Sequence, residues 1–593
     1  MKKVGIAFGD FVTEERVSRR RGGGNNFMPN FVQIAPLFVA VIAFSFLSLR
    51  LFYLQVIKSE YFKSLSDQNR TRTKIIPAPR GIIVDKNGKP LVANSSAFGV
   101  LENAASGKAQ KIKRITNDEA LLLISEGKKV ENDIERDYLY KDAFAHVLGY
   151  TGQISQDEIL QPEFKDYVIS DYVGKIGLEK EYESILHGKN GKELFEVDAR
   201  GKSVRSLGRE APIDGKNLNS TLDLDVELAA HNAMKDFNKG AVVVSDPRDG
   251  SILALYSKPS FDPNIFTHPD SYIPAGEYRY RENILTDTDN QPLLDRSIGG
   301  TYPPGSTFKL ITAVAALEKG VIRADTQIED TGSLQVGTFS FGNWYFLQYG
   351  RKEGNLDIVG AIKRSNDIFF YKAAEGAGVE SIASVAKTFG LGERFGIDLP
   401  GESRGSVPTP NWKKEVLAEN WYLGDTYNFG IGQGYLLTTP LQVNMWTTVF
   451  ANGGTLFKPH LLARSPQVVK KDFVKGEYLD LVREGMRQSC DTGGVAWPLF
   501  GFKVQNDNLK ADGKDYFEDA SGSAKMIRVN LACKTGTSQI GGKEDKPHSW
   551  ITVFAPFYHP EIAVTVLVEN GGEGSSIAGP VARDILKAYF EHK

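Results

Sequence analysis

Residues 303–309, Pro303-Pro304-Gly305-Ser306-Thr307-Phe308-Lys309, open the apolar run LITAVAALEKG, which stops at Gly320. The run is patterned as a helix, and on a helix positions i and i+3 share a face. The spacing therefore predicts that the Lys309 amine reaches the Ser306 hydroxyl and accepts its proton. A serine hydroxyl is a poor nucleophile at neutral pH until a neighbouring base activates it. A helix start adds the positive end of its dipole, which favours developing negative charge. Alone, S-x-x-K is a common accident, and an exposed polar face at a helix start accounts for it equally well.

Two later segments change that balance. Ser365-Asn366-Asp367 precedes the apolar run IFFYKAA, and Lys534-Thr535-Gly536-Thr537 closes VNLACKTGT, which reads as a strand. S-x-x-K, an S-D-N-like element and K-T-G, in this order, form the signature of penicillin-binding proteins and class A β-lactamases.

The resemblance extends beyond the trio. Arg80-Gly81-Ile82-Ile83-Val84-Asp85, followed by Asn87-Gly88, resembles the R-G-x-x-x-D-R-x-G segment of class B penicillin-binding proteins, with Lys86 where arginine is usual. GYTGQIS (149–155), GKIGLEKEYESILHGKNG (174–191) and DARGK (198–202) resemble pedestal boxes of that class. GDTYNFGIGQGYLLTTPLQ (424–442) is similar to a box of its elongation subclass, penicillin-binding protein 2. The likeness runs from residue 30 to the C-terminus. It implies an α+β chain with one transmembrane helix, an elongated pedestal and a transpeptidase domain. That domain would hold a five-stranded antiparallel sheet between helices, plus an all-helical lobe. It also implies a peptidoglycan D,D-transpeptidase of cell-wall elongation and shape maintenance, covalently inhibited by β-lactams. Ser306 would be the acylated nucleophile and Lys309 its general base, with Ser365 and Lys534 shuttling or holding protons. Asp367, Thr535, Gly536 and Thr537 would bind substrate. The partners implied are stem peptides (a D-Ala-D-Ala donor and an amine acceptor), a SEDS-type, RodA-like membrane glycan polymerase, and proteins of the elongation complex.

The chemistry gives each residue a reason. A lysine base must be neutral for part of the cycle, and burial near a second cation lowers its pKa; Lys534 is the expected second cation. A tetrahedral intermediate needs two N–H donors, and the backbone of Ser306 and Thr537 is the expected pair. Gly536, without a β-carbon, would let substrate lie along the strand. Asp367 departs from the commoner S-x-N form and would be charged unless a cation such as Lys309 neutralises it. Cys533 stands where glycine is usual and reads as a packed strand residue rather than a reactive thiol. His548 reads as a structural histidine bonded to backbone. Neither a metal nor a cofactor is expected.

The 593 residues exceed one compact core, so several domains are expected. Lys and Arg total 71 against 73 Asp and Glu, which gives no hint of a nucleic-acid partner. The two cysteines, Cys490 and Cys533, have no metal-ligand spacing, and they pair only if the fold brings them together. Residues 31–49 carry no charge and are long enough to cross roughly 30 Å of hydrocarbon at about 1.5 Å per residue. The apolar core is too long for a secretory signal, and no small-x-small cleavage site follows. Lys2, Lys3, Arg16, Arg19, Arg20 and Arg21 precede it, which places the N-terminus in the cytoplasm and the bulk of the chain outside the bacterial inner membrane. The expected division is a tail over 1–29, a transmembrane helix over 30–57, a pedestal over 58–219 tied by an Arg80–Asp85 ion pair, and a transpeptidase domain over 220–593. Residues 501–530 read as a hairpin or loop insertion. A division-specific transpeptidase is the alternative within the class. A carboxypeptidase or β-lactamase-type hydrolase fits less well with an anchor, a pedestal and no deacylating glutamate motif. A scaffold or β-lactam sensor fits less well with intact Ser306, Lys309 and Lys534.

Overall fold

The computed structural model of the chain describes residues 31–103, 110–198, 203–519, 525–539, 541 and 546–593. The tail expected in the cytoplasm, its basic residues, positions 199–202 of the DARGK box and positions 520–524 of the insertion lie outside the described residues. The chain forms two compact units, one from residues 1–74 and 192–209 and one from 75–191 and 210–593.

In the first unit, Phe31–Phe52 is α-helical and Tyr53–Ile57 continues as a π-helical turn. Among the described residues, Ala35–Ile57 is the one helix long and apolar enough to cross a membrane. Its phenylalanines and leucines are exposed, as a lipid-facing surface requires. A polar helix, Ser59–Arg70, follows it.

The part of the second unit that carries the three motifs is built around one five-stranded sheet. Its strands are β1 (Gly240–Ser245), β2 (Ile252–Lys258), β3 (Ala532–Ser538), β4 (His548–Ala555) and β5 (Ile562–Val568). They pair antiparallel in the order β2-β1-β5-β4-β3, so the K-T-G strand is an edge. Strand side chains alternate between faces, and here both faces are covered. Val242, Val244, Val564 and Val566 pack with helices α1 (Leu224–Ala233) and α5 (Ala578–Glu591). Val243, Leu255, Ala563 and Leu567 join the larger core, with α2 (Lys309–Glu318), α3 (Asp367–Ala377) and the wholly buried α4 (Pro440–Asn452). Burial on both sides explains why β1 and β5 are near-continuous apolar runs. The molecule is therefore α+β, as expected. Its middle lobe is not all-helical: Ile328–Asp330 pairs with Gly354–Leu356, and Ser333–Val336 with Phe339–Gly342. Residues 501–530 contribute a three-stranded sheet rather than a single hairpin.

The pedestal residues 75–191 share that second unit. Ile83–Val84 pairs with Pro90–Asn103, which pairs in turn with Glu131–Tyr138. The expected Arg80–Asp85 ion pair does not form. Asp85 spends its Oδ1 on the N–H groups of Asn87 and Lys89, closing the turn. Arg80 instead meets Glu179 at 2.5 Å and Glu183 at 2.7 Å, and Arg136 meets Glu179 at 2.7 Å. The GLEKEYE box thus supplies the carboxylates. Burial alone would raise the Glu179 pKa, but Arg136 and Arg80 hold it below its ordinary value. Glu179→Gln leaves two buried guanidinium groups short of a counter-charge. Its expected cost is about 3–5 kcal/mol, read from the denaturant midpoint. Because the folded-state pKa is depressed, the carboxylate's contribution is present above the ordinary range and lost as pH falls through the lowered value. The wild-type advantage over Glu179→Gln should therefore shrink in acid.

Candidate active site

The turn that carries Ser306 is pinned before the helix begins. Gly305–Phe308 is a 3₁₀ turn leading into α2. Trp550 on β4 donates its indole N–H to Pro303 O at 3.0 Å, and Thr307 Oγ1 donates to Pro304 O at 2.8 Å. Gly305 has φ +54°, and its N–H donates to Gly432 O at 2.9 Å. A β-carbon on Gly305 would stand 2.9 Å from Thr537 O, so only glycine lets the turn lie against β3. Ser306 is partly exposed while Lys309 has no exposed surface.

The S-N-D segment forms a corner between helices. Ser365 ends Ile358–Arg364 in the left-handed conformation at φ 55°. Asn366 caps α3, its Oδ1 accepting from Phe369 N at 2.9 Å, and its Nδ2 donates to Glu353 at 3.0 Å. The amide is thus a helix cap and leaves the lysines to its neighbours. Lys309 Nζ donates to Ser365 O at 2.8 Å, to Asp367 Oδ1 at 2.7 Å and, more weakly, to Ser365 Oγ at 3.4 Å. Lys534 Nζ reaches the same Ser365 Oγ at 2.7 Å and Thr535 O at 3.0 Å. Two buried amines therefore converge on one hydroxyl.

Three sequence expectations change in detail. Ser306 is not among the hydrogen-bond partners of Lys309; the S-N-D corner holds the amine instead. Burial lowers the pKa of Lys309, and Asp367 partly restores it. Burial, followed by the charge on Lys309, pushes Lys534 well below its ordinary value. Asp367 thus supplies a counter-charge at the Lys309 amine, 2.7 Å away. Finally, Gly536 also packs tightly against the turn: a β-carbon there would lie 3.0 Å from Pro304 O and 3.1 Å from Thr307 Cγ2. Thr535 is 7% exposed. Thr537 is more open, and its Oγ1 accepts from Gly574 N at 3.2 Å.

Cys490 and Cys533 form a disulfide, with Cα atoms 5.7 Å apart. The bond ties the end of helix Gly476–Ser489 to β3 one residue before Lys534. His548 is structural: its Nδ1 accepts from Asn570 N at 3.1 Å, and its ring meets Tyr302 edge-on. Asp512, Asp515 and His559 bring ligating atoms within 4.8 Å of one another, but both Asp515 oxygens already accept hydrogen bonds from the 558–559 segment.

The model of the family described as "Penicillin binding protein transpeptidase domain" matches residues 240–587, more than half of the chain. The chain belongs to this family. A second family, the penicillin-binding protein dimerisation domain, matches residues 106–220 of this penicillin-binding protein. It is 31% identical to the peptidoglycan D,D-transpeptidase MrdA of Haemophilus influenzae, over 92% of this chain and 89% of that one. It is similar to the penicillin-binding protein PBP2 solved with MreC from Helicobacter pylori, with TM-score 0.72, 28% identity, and 88% of this chain and 99% of that chain covered. It also matches a chain from a peptidoglycan synthase complex that coordinates polymerization and crosslinking, with TM-score 0.70, 29% identity, and coverage of 95% and 99%.

Several residues of the penicillin-binding protein's site escaped the sequence reading. Asn343 accepts from Asp367 N, and Trp344 N donates to Asp367 Oδ2 at 2.9 Å, fixing the carboxylate from outside the three motifs. Gly432 and Gln433 touch both the nucleophile turn and β3. Their signal is visible in the GIGQG run, quoted above for its resemblance.

Proposed function

We propose that this penicillin-binding protein is a peptidoglycan D,D-transpeptidase of cell-wall elongation, acting through an acyl-enzyme on Ser306 and blocked covalently by β-lactams. The observation that carries the reading is the convergence of Lys309 and Lys534 on Ser365 Oγ, with Lys309 directly following the turn on which Ser306 alone is partly exposed. Ser306 Oγ attacks the penultimate D-Ala carbonyl while its proton passes to the neutral Lys309 amine. The tetrahedral oxyanion lies between the N–H groups of Ser306 and Thr537. Collapse breaks the C–N bond, and the departing D-alanine nitrogen takes a proton through Ser365 from the lysine pair. An amine of a second stem peptide then attacks the ester. Its proton returns along the same route, the new amide forms, and Ser306 leaves with its hydroxyl restored. Asp367 keeps Lys309 in place between these steps. Thr535 and Thr537, beside Lys534, offer hydroxyls and charge to the terminal carboxylate, and Gly536 keeps β3 close to the turn.

The same reading places residues 1–29 in the cytoplasm, 30–57 across the inner membrane, 58–219 as a pedestal and 220–593 as the extracytoplasmic catalytic domain. Its partners are the stem peptides, a SEDS-type, RodA-like glycan polymerase and elongation-complex proteins. The relatives that support this are a PBP2 seen with MreC and the chain from a peptidoglycan synthase complex. Intact-mass analysis after penicillin treatment, with peptide mapping, tests the assignment: one adduct on Ser306 is expected. With stem-peptide donor and acceptor, a cross-linked product is expected; D-alanine release without cross-linking would make the protein a hydrolase.

A further inference from the structure

Gly432 and Gln433 join the two pieces of backbone that flank the reacting serine. Gly432 has φ +77°, and a β-carbon on it would sit 2.1 Å from Gly305 O. Its carbonyl accepts from Gly305 N at 2.9 Å, so the dipeptide is locked to the nucleophile turn. The next side chain reaches the other piece. Gln433 Nε2 donates to Thr537 O at 3.3 Å, and Gln433 Oε1 accepts from Gln539 N at 3.2 Å. The orientation of the amide is determined, because a backbone N–H at 539 can meet only the oxygen. β3 is the sheet edge, paired on one side with β4. The Gln433 amide therefore bonds the end of β3 as a neighbouring strand's peptide group would.

We infer that Gln433 is a positioning residue that sets the gap between the Ser306 and Thr537 N–H groups. This rests on the acyl-enzyme reading above. An edge strand without a partner can twist or fray at its end, and Thr537 is the next-to-last residue of β3. Through Gly432 the clamp holds the turn, and through Gln433 it holds the strand, so both donors move as one body. Stabilisation of an oxyanion depends on donors standing in place before charge develops. Loss of the clamp should slow the chemical step and leave initial binding largely intact.

The test uses the full-length chain in detergent and a fluorescent penicillin, with acylation resolved into pre-covalent affinity and limiting rate. Q433E is nearly isosteric; one carboxylate oxygen still accepts from Gln539 N, but the other faces Thr537 O without a proton. Both Q433E and Q433A should lower the limiting rate about tenfold to a hundredfold, with affinity within about twofold and an unchanged adduct site. For Q433E the rate relative to wild type should recover as pH falls toward the carboxyl range of about 4.3, where an O–H donor to Thr537 O is regained; Q433A should show no such recovery. Wild-type limiting rates in both variants would overturn the inference, as would affinity and rate falling together or recovery of Q433A in acid. An adduct mapped away from Ser306 in the wild-type protein would instead overturn the acyl-enzyme reading.

Discussion

Ser306→Ala yields a protein that takes up no covalent penicillin label and makes no cross-linked product. The expected loss is at least about 10⁴-fold, because a removed nucleophile has no substitute among the neighbouring groups. Ser365 is the other motif serine, but it accepts from Lys534 at 2.7 Å and is only 6% exposed. Ser306 is partly exposed at the mouth of the site, and the turn around it is held by Trp550, Thr307 and Gly432 rather than by its own side chain. The thermal midpoint should therefore stay close to wild type, with a stability change within about 0.5 kcal/mol. Persistent labelling of a folded Ser306→Ala protein would end the assignment of the nucleophile.

The second large effect is expected at Lys309. Lys309→Met keeps the length of the side chain and removes the amine. Acylation should fall about 10²–10⁴-fold through loss of the base. Stability should fall as well, because Asp367, 8% exposed, loses the ammonium that stands 2.7 Å away; breaking one partner of a buried pair costs about 3–5 kcal/mol. The double variant Lys309→Met/Asp367→Asn separates the two losses: denaturant stability should return toward wild type while acylation stays low. Asp367→Asn alone keeps the base but removes the negative charge that raises the pKa of both lysines. The sign follows directly: both amines then lose their protons at lower pH, so the rising limb of acylation against pH moves toward acid. A limb that stays in place or moves toward alkali would show that Asp367 does not tune this pair.

Much of this site was legible in the chain itself. Ser306, Lys309 and Lys534 carry chemistry that few other arrangements need, and their motifs stand in the required order. The K-T-G strand β3 was legible in VNLACKTGT, which reads as a strand. The charge network of the pedestal was not, since Arg80 lies far along the chain from Glu179 and nearer to a plausible partner, Asp85. The disulfide was not legible for the same reason: Cys490 and Cys533 meet only because a helix end packs beside β3. The role of Asn366 was partly legible, as asparagine before an apolar helical run is a cap.

The sequence by itself determined which groups can react and the presence of an apolar segment long enough to span a membrane. Only the tertiary structure decided that Asp367 stands against Lys309, because that depends on where one carboxylate points. It also gave Gln433 its place against the K-T-G strand, a contact between a loop and a sheet edge separated by more than a hundred residues. Chemical identity is a local property of side chains, whereas electrostatic tuning and donor placement arise from distances that folding alone sets.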